Sequence, residues 1–255
     1  MRSVFSILAA GAAALLLIAS CTRVMQTAAV SDEGEVPMQG FDASMSYDYR
    51  MDYITGGVPK QVMDKINNHI IRYDILYDED ETSVDVPAAC RQWADGQVST
   101  YEADASEFAE DFDEDDAWMF NWSFSIDGSF ETACKERGWQ TYATASEDYT
   151  GGAHGSYFLS YTVFDMKTGE VVTEEDFLDM EIEELSDLIY DKVLEELDED
   201  MWDAIYEMPG PNGNFRVDDE GVCWVFNPYE IGPYVLGTLD AFVSWEELAP
   251  YMLAR

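Results

Sequence analysis

Histidine is nearly missing from this chain. Two occur in 255 residues, His69 and His154. Basic residues are scarce too: 13 Lys and Arg stand against 53 Asp and Glu, a formal net charge of −40. Binding to nucleic acid or an anionic membrane surface needs a basic face, so charge excludes both as partners. The same field draws in a cationic protein or peptide, while the blander reading is an acidic surface that only solvates the fold. There are four cysteines, none at Cys-x-x-Cys spacing, which leaves zinc without its usual pattern. The chain also lacks a nucleophile–base pair, HExxH, a nucleophile elbow and a phosphate loop. The acidic stretch from Tyr77 to Asp85 is no calcium loop: counted from Asp78, the twelfth position is Ala89, where a bidentate Glu belongs. No cofactor and no metal are expected.

What is present is a folding sequence. Hydrophobic residues make up 47% and aromatics 14%, unlike a disordered acidic tail. One long apolar run opens the chain, "VFSILAAGAAALLLIAS" after Met1, Arg2 and Ser3, and it ends in Ile18-Ala19-Ser20-Cys21. That order resembles a bacterial lipobox. It implies a lipoprotein signal peptide over 1–20, cleaved before a lipidated, palmitate-bearing Cys21. A plain membrane anchor is the competing reading. The run is short for a span of about 20 residues, and no basic stop-transfer cluster follows it. The expected location is the bacterial cell envelope, held to the membrane through lipid on Cys21. Thr22 is not the aspartate associated with inner-membrane retention, which favours the outer membrane where there is one. With Cys21 on lipid, Cys90, Cys134 and Cys223 leave at least one thiol unpaired. A Cys90–Cys134 disulfide and three buried thiols are both open.

Residues 21–40 lack a sustained period and read as a tether. "MSYDYRMDYI" alternates, with Met45, Tyr47, Tyr49, Met51 and Tyr53 on one face, so it is a strand. Pro59 opens a helix with Val62, Met63, Ile66 and Ile70 on its buried face and Asp64, Lys65 and Asn68 facing out. Pro87 begins a second helix carrying Cys90, Trp93, Tyr101 and Phe108, with an interruption near Gly96. A strand over Trp118–Asp127 turns at Gly128 into a hairpin partner, "SFETAC", and two further strands flank the "YTGGAHG" turn. Thr173 with Asp176 caps a short helical turn. Ile182, Leu185, Leu188, Ile189, Val193 and Leu197 share one helix face. "FRV" and "VCWVF" form a hairpin. Ser244 with Glu247 is a capping box for a last helix. The class is α+β: antiparallel sheets with packed helices, in an N-terminal subdomain over 41–117 and a C-terminal one over 118–255.

The order of "YTGGAHG", "FDMKTGEVVTEEDFL", a Leu-rich helix, "VCWVFNPYEIGPYVLG" and a closing "EEL" resembles the PdaC/RsiV-like family. Its members include envelope domains of peptidoglycan deacetylases and of an anti-sigma factor. The likeness covers 118–255, with a weaker one upstream around Ile66-Asn67. In the deacetylases, catalysis belongs to a separate metal-dependent domain that this chain has no room for. In the anti-sigma factor the ectodomain binds lysozyme. The resemblance implies a non-catalytic, partner-binding domain. The partner is a cationic, lysozyme-like protein or peptidoglycan.

His154 carries the remaining question. With Asp148 or Glu147 it could serve acid–base chemistry on cell-wall glycan. The structural reading has Gly151 and Gly152 in conformations closed to other residues, and the imidazole tying the loop to backbone or to a buried carboxylate. No second catalytic group is recognisable, which favours the structural reading. Tyr149, Gly151, Gly152, His154, Tyr229 and Glu230 are the candidate binding residues. Tyr229 and Glu230 either form a recognition edge or brace their proline-bounded loop. Trp118, Phe120 and Trp122 could stack on sugar, although period-two alternation points to core. A structural envelope lipoprotein without a ligand is the third option. The lipid claim is tested with a clickable palmitate analogue. Wild type should take up label and Cys21→Ala should not. An unlabelled wild type, or a variant labelled equally, removes the lipoprotein assignment.

Overall fold

The computed structural model describes residues 24–108, 114–179 and 184–253. The signal segment, Cys21 and Ile182 lie outside them. Strands β1 (Gln26–Pro37), β2 (Ser44–Gly56), β3 (Trp122–Cys134), β4 (Trp139–Tyr149) and β5 (Ser156–Asp165) form one sheet in chain order. Strands β6 (Phe215–Val217), β7 (Gly221–Phe226) and β8 (Leu239–Ser244) form a smaller antiparallel sheet. Helices α1 (Lys60–His69), α2 (Val86–Phe108), α3 (Glu184–Glu195) and α4 (Trp245–Leu248) pack around them. The class is α+β, as the periodicities require.

One pairing departs from the expected antiparallel pattern: β2 and β3 run parallel, with Met45 opposite Trp122 and Met51 opposite Gly128. Parallel neighbours need a long crossover, and the segment holding α1 and α2 supplies it. This pairing joins β2, from the expected N-terminal subdomain, to β3, from the C-terminal one. The expected tether is also largely sheet, since β1 runs antiparallel to β2 from Gln26 to Pro37. As an edge strand it is mostly exposed, so it carries no sustained apolar alternation to announce itself.

α1 and α2 cover one face of the large sheet. Met45, Tyr49, Met51 and Ile54 are buried there with Val62, Ile66, Cys90 and Trp93. The expected β2 face holds through Met51 and then shifts, so that Ile54 is buried and Tyr53 only half-buried. Asn67 repairs the strand at that point: its side chain accepts from Ile54 N at 3.0 Å and donates to Ile54 O at 2.8 Å. Asn68, expected to face water, is half-buried and donates to the carbonyls of Glu81 and Ser83. α2 runs through Gly96 without interruption. On the other face, α3 and the small sheet enclose a second core around Ile189, Val193, Phe215, Trp224 and Val243, against Val163 of β5. Both capping boxes form, at Thr173/Asp176 and Ser244/Glu247.

Two further expectations are corrected, at residues 118–121 and at Gly128, and the open choice for the cysteines falls to buried thiols. Residues 118–121 are not strand: Glu114–Phe120 is a 3-10 turn and β3 starts at Trp122. Cys90 and Cys134 form no disulfide. They lie in the two separate cores, and all three described cysteines are free and buried. Burial pushes the Cys90 and Cys223 thiols up to about 12. Gly128 does not turn the chain, because β3 passes straight through it. A Cβ there would land on the Tyr142 hydroxyl and 2.5 Å from Met51 Cε. The hydroxyl cannot swing away freely, since it donates to Asp52 O at 2.9 Å. Gly128→Ala should therefore lower stability by about 1–3 kcal/mol in urea unfolding. A wild-type midpoint would show that the Met51–Tyr142 contact yields without strain.

Candidate functional site

The small sheet covers only part of the face opposite α1 and α2. It is pinned there by Thr141, whose hydroxyl accepts from Val217 N at 3.1 Å. The rest of that face is open. Strand register sets its side chains in rows: Glu33 lies opposite Asp48, Asp48 opposite Ser125, Ser125 opposite Glu147, and Glu147 opposite Tyr157. The next row runs Glu35, Ser46, Ser123, Tyr149. Together they floor a trough of about 600 Å³ lined by Glu33, Glu35, Ser46, Asp48, Ser123, Ser125 and Glu147. Like charges directly opposite each other destabilise a sheet. Arg50, the basic residue of this face, pairs with Asp52 and Asp127. Among the described residues, Glu33, Asp48 and Glu147 have no salt-bridge partner.

Where the trough reaches β5 it meets aromatic rings. Gly151 (φ 90°) and Gly152 (φ 103°) turn the chain from β4 to β5. The Tyr149 hydroxyl donates to Gly152 O at 3.1 Å. His154 follows, exposed, its ring stacked on Tyr234 at 4.3 Å and 21°. Tyr234 lies 5.6 Å from Tyr229 and 6.0 Å from Tyr157. The structure thus brings Tyr149, Gly151, Gly152 and His154 beside the Tyr229 loop, although 75 residues separate His154 from Tyr229 in sequence. Tyr229 is 58% exposed and held at φ 70°, with its carbonyl accepting from the Tyr206 hydroxyl at 2.6 Å. Glu230 braces that loop: it accepts from Asn227 N at 2.9 Å and from Asn212 Nδ2 at 2.6 Å.

Two asparagines, which sequence reasoning missed, seat this loop on the sheet. Asn227 accepts from Leu159 N at 2.8 Å and donates to Leu159 O at 2.9 Å. Asn214 accepts from Tyr161 N at 2.8 Å and donates to Leu159 O at 2.9 Å and Val225 O at 3.1 Å. Side-chain amides thereby take the place of a sixth strand along the outer edge of β5.

His154 makes its ring contact with Tyr234, and its Nδ1 lies 2.8 Å from Gly155 O. Among the described residues no carboxylate hydrogen-bonds it, so the loop is not tied to a buried acid. Neither Glu147 nor Asp148 reaches it: they point to opposite faces of β4, Glu147 into the trough. His69 is half-buried between Tyr73 and Phe164, and burial with Arg72 nearby lowers its pKa to about 4. Among the described residues, no group of three His, Cys, Asp or Glu side chains could hold a metal ion. Of the proposed sugar platform, Phe120 is buried and Trp122 packs on Phe120 and Tyr101, leaving Trp118, 53% exposed, alone.

Residues 175–246 match the family model DUF3298, described as a protein of unknown function. The match takes in α3, the small sheet and the Tyr229–Tyr234 loop. A crystal structure of a DUF3298 family member from Bacteroides fragilis NCTC 9343 is similar, with a TM-score of 0.76 and 18% identity over 91% of this chain and 95% of that one. A DUF3298 family protein from Pseudomonas aeruginosa PAO1 superposes with a TM-score of 0.61 and 16% identity, over 91% and 96%. At these identities the likeness is one of fold. No curated protein matches the chain. Among the described residues, no helix is long and apolar enough to cross a membrane.

The two kinds of residue should separate on mutation. Asn227→Ala strips the partner from Leu159 N and leaves Leu159 O to Asn214 alone, and should lower stability by about 1–3 kcal/mol, with faster amide exchange at Leu159. His154→Ala, at an exposed ring, should change it by about 0.5 kcal/mol or less. Chemical denaturation of both variants checks the contrast, and equal losses would refute it.

Proposed function

We propose that this domain is a non-catalytic binding module, held to the bacterial envelope by lipid on Cys21, whose partner is a cationic protein of lysozyme type. The observation that carries the reading is the open row Glu33–Asp48–Ser125–Glu147. The three carboxylates of this row have no salt-bridge partner among the described residues, since Arg50 on the same face pairs with Asp52 and Asp127. A partner bearing Lys and Arg relieves that repulsion on binding, and the net charge of −40 steers it in. The rings of Tyr157, Tyr229, Tyr234 and His154 stand at the end of the trough and offer π faces to the same cations. The PdaC/RsiV-like resemblance adds lysozyme binding as a property of related ectodomains. The exposed Tyr229 ring also favours a second reading, peptidoglycan, because tyrosine faces stack on sugars. An enzyme acting on that glycan through His154 draws less support, since the ring's contacts are Tyr234 and a backbone carbonyl.

Calorimetry with lysozyme at low and at physiological salt tests the leading reading. Binding should weaken with salt. The triple variant Glu33→Gln, Asp48→Asn, Glu147→Gln should lose about tenfold or more in affinity, chiefly through slower association. No binding at either salt removes lysozyme as the partner. Undiminished binding by the triple variant moves the contact away from the trough. A pull-down on purified peptidoglycan, with turnover measured alongside, separates the glycan and enzyme readings.

A further inference from the structure

Asp74 is buried, and among the described residues it has no salt-bridge partner. It lies near the end of the π-helical turn Ile70–Ile75 that prolongs α1, and is 3% exposed. Its Oδ1 accepts from Thr144 Oγ1 of β4 at 3.0 Å. Its Oδ2 is buried without a hydrogen-bond partner. Such an atom in a native interior calls for an explanation. The extra residue of a π-helical turn is a local departure that costs helix regularity and often marks function. Just beyond it the backbone passes through Tyr77 at φ 51°, a left-handed conformation that a tyrosine adopts only under constraint. The Tyr77 ring itself is 67% exposed. The turn grips β4 on its helix-facing side through the Asp74–Thr144 hydrogen bond. Further along β4, Glu147 points through the sheet into the trough.

We propose that Asp74 is a proton-operated clasp: with its proton bound the π-helical turn stays packed on β4 at Thr144, and with the proton lost the buried charge is drawn toward water, the turn lifts away and β4 loosens beside Glu147. The surroundings leave the carboxylate no counter-ion. From β4 it faces Thr144 and Tyr142, and Tyr142 in turn faces Asp52 of β2, Asp127 of β3 and Cys90 of α2. From its own segment it faces Tyr77. Arg72 turns away and donates to Glu79 O, and His69, neutral above about pH 4, meets Phe164 edge-on and lies tilted against Tyr73. Burial pushes the Asp74 carboxyl up to about 7, against the opposing pull of the Thr144 hydrogen bond. The folded state thus holds a proton that the unfolded chain releases near pH 4. Its contribution to stability is complete below about pH 4, falls as pH rises, and is gone above about pH 7.

Amide exchange tests the clasp without any partner, so its failure is distinct from failure of the cationic-partner reading. After correction for intrinsic rates, protection at Thr144, Ala145 and Ser146 should fall about tenfold or more between about pH 5 and pH 8. Asp74→Asn keeps an acceptor for Thr144 but cannot ionise, and should flatten that profile. Thr144→Val should loosen β4 already at about pH 5. Equal protection at both pH values in wild type, or the same fall in Asp74→Asn, overturns the proposal. Should Asp74→Asn not fold, carbon NMR of the wild-type carboxyl decides: a midpoint near 7 supports the clasp, and one in the ordinary carboxylate range near 4 overturns it.

Discussion

Everything about the exposed face depends on how the outer edge of β5 is satisfied. A sheet edge leaves backbone N–H and C=O groups that must find partners. Here Asn214 and Asn227 supply them from the segments flanking β6 and β7. Amide side chains present a donor and an acceptor together, as a strand does, without continuing the sheet. That ends the large sheet at five strands and docks the small sheet against Thr141 and Val163. Because docking occurs at this edge, β1, β2 and the start of β3 stay uncovered. The open trough is a geometric consequence of where two asparagines sit.

The open face then carries charges that folding alone would not choose. Glu33 stands opposite Asp48, and two strands further on, beyond Ser125, Glu147 repeats the sign. Cross-strand pairs of like charge oppose the sheet that holds them, whereas the serines between them would suffice for solubility. Two cores on either side of the sheet tolerate this, since each buries large side chains: Trp224, Phe226 and Ile189 on one side, Tyr142, Met51 and Ile66 on the other. The repulsion is thus local, solvent-facing and available to be relieved by a cation from outside.

Much of the fold was legible because single elements announce themselves through periodicity and caps. β2 through Met51, the Leu185–Ile189–Val193 face of α3, the β6–β7 hairpin and the Thr173 and Ser244 capping boxes all follow from nearby residues. What depends on distant pairing was not. Nothing in "SDEGEV" marks an edge strand except Glu33 and Glu35 flanking Gly34, a period of two too short to decide. The parallel β2–β3 register, which sets Asp48 against Ser125, has no local sign at all. Gly128 reads equally as a turn or as a place where two side chains approach too closely for a Cβ, and only Tyr142 and Met51 decide it. The candidate site was half legible: the glycine turn and the Tyr229 loop stood out, while Tyr157, Tyr234 and the trough carboxylates needed the register.

Strain points the same way as charge. Tyr77 and Tyr229 are the two non-glycine residues with positive φ among those described. Glycine in either place would remove the strain, which is of order 1–3 kcal/mol, but it would remove the ring as well. Each backbone is over-determined by anchors nearby. Tyr77 sits between Leu76 N, which donates to Ile71 O, and Asp78 N, which donates to Arg72 O, and Tyr229 is tied through its carbonyl to Tyr206, beside the Glu230 brace. Both rings are more than half exposed, and that of Tyr229 stands beside Tyr234. A tyrosine held out to water at that cost is hard to explain by folding, because more than half of its surface is exposed and little apolar area is gained. On the cationic-partner reading proposed above, the position of Tyr229 at the end of the carboxylate row gives the strain a purpose: the ring is preset to receive an incoming cation.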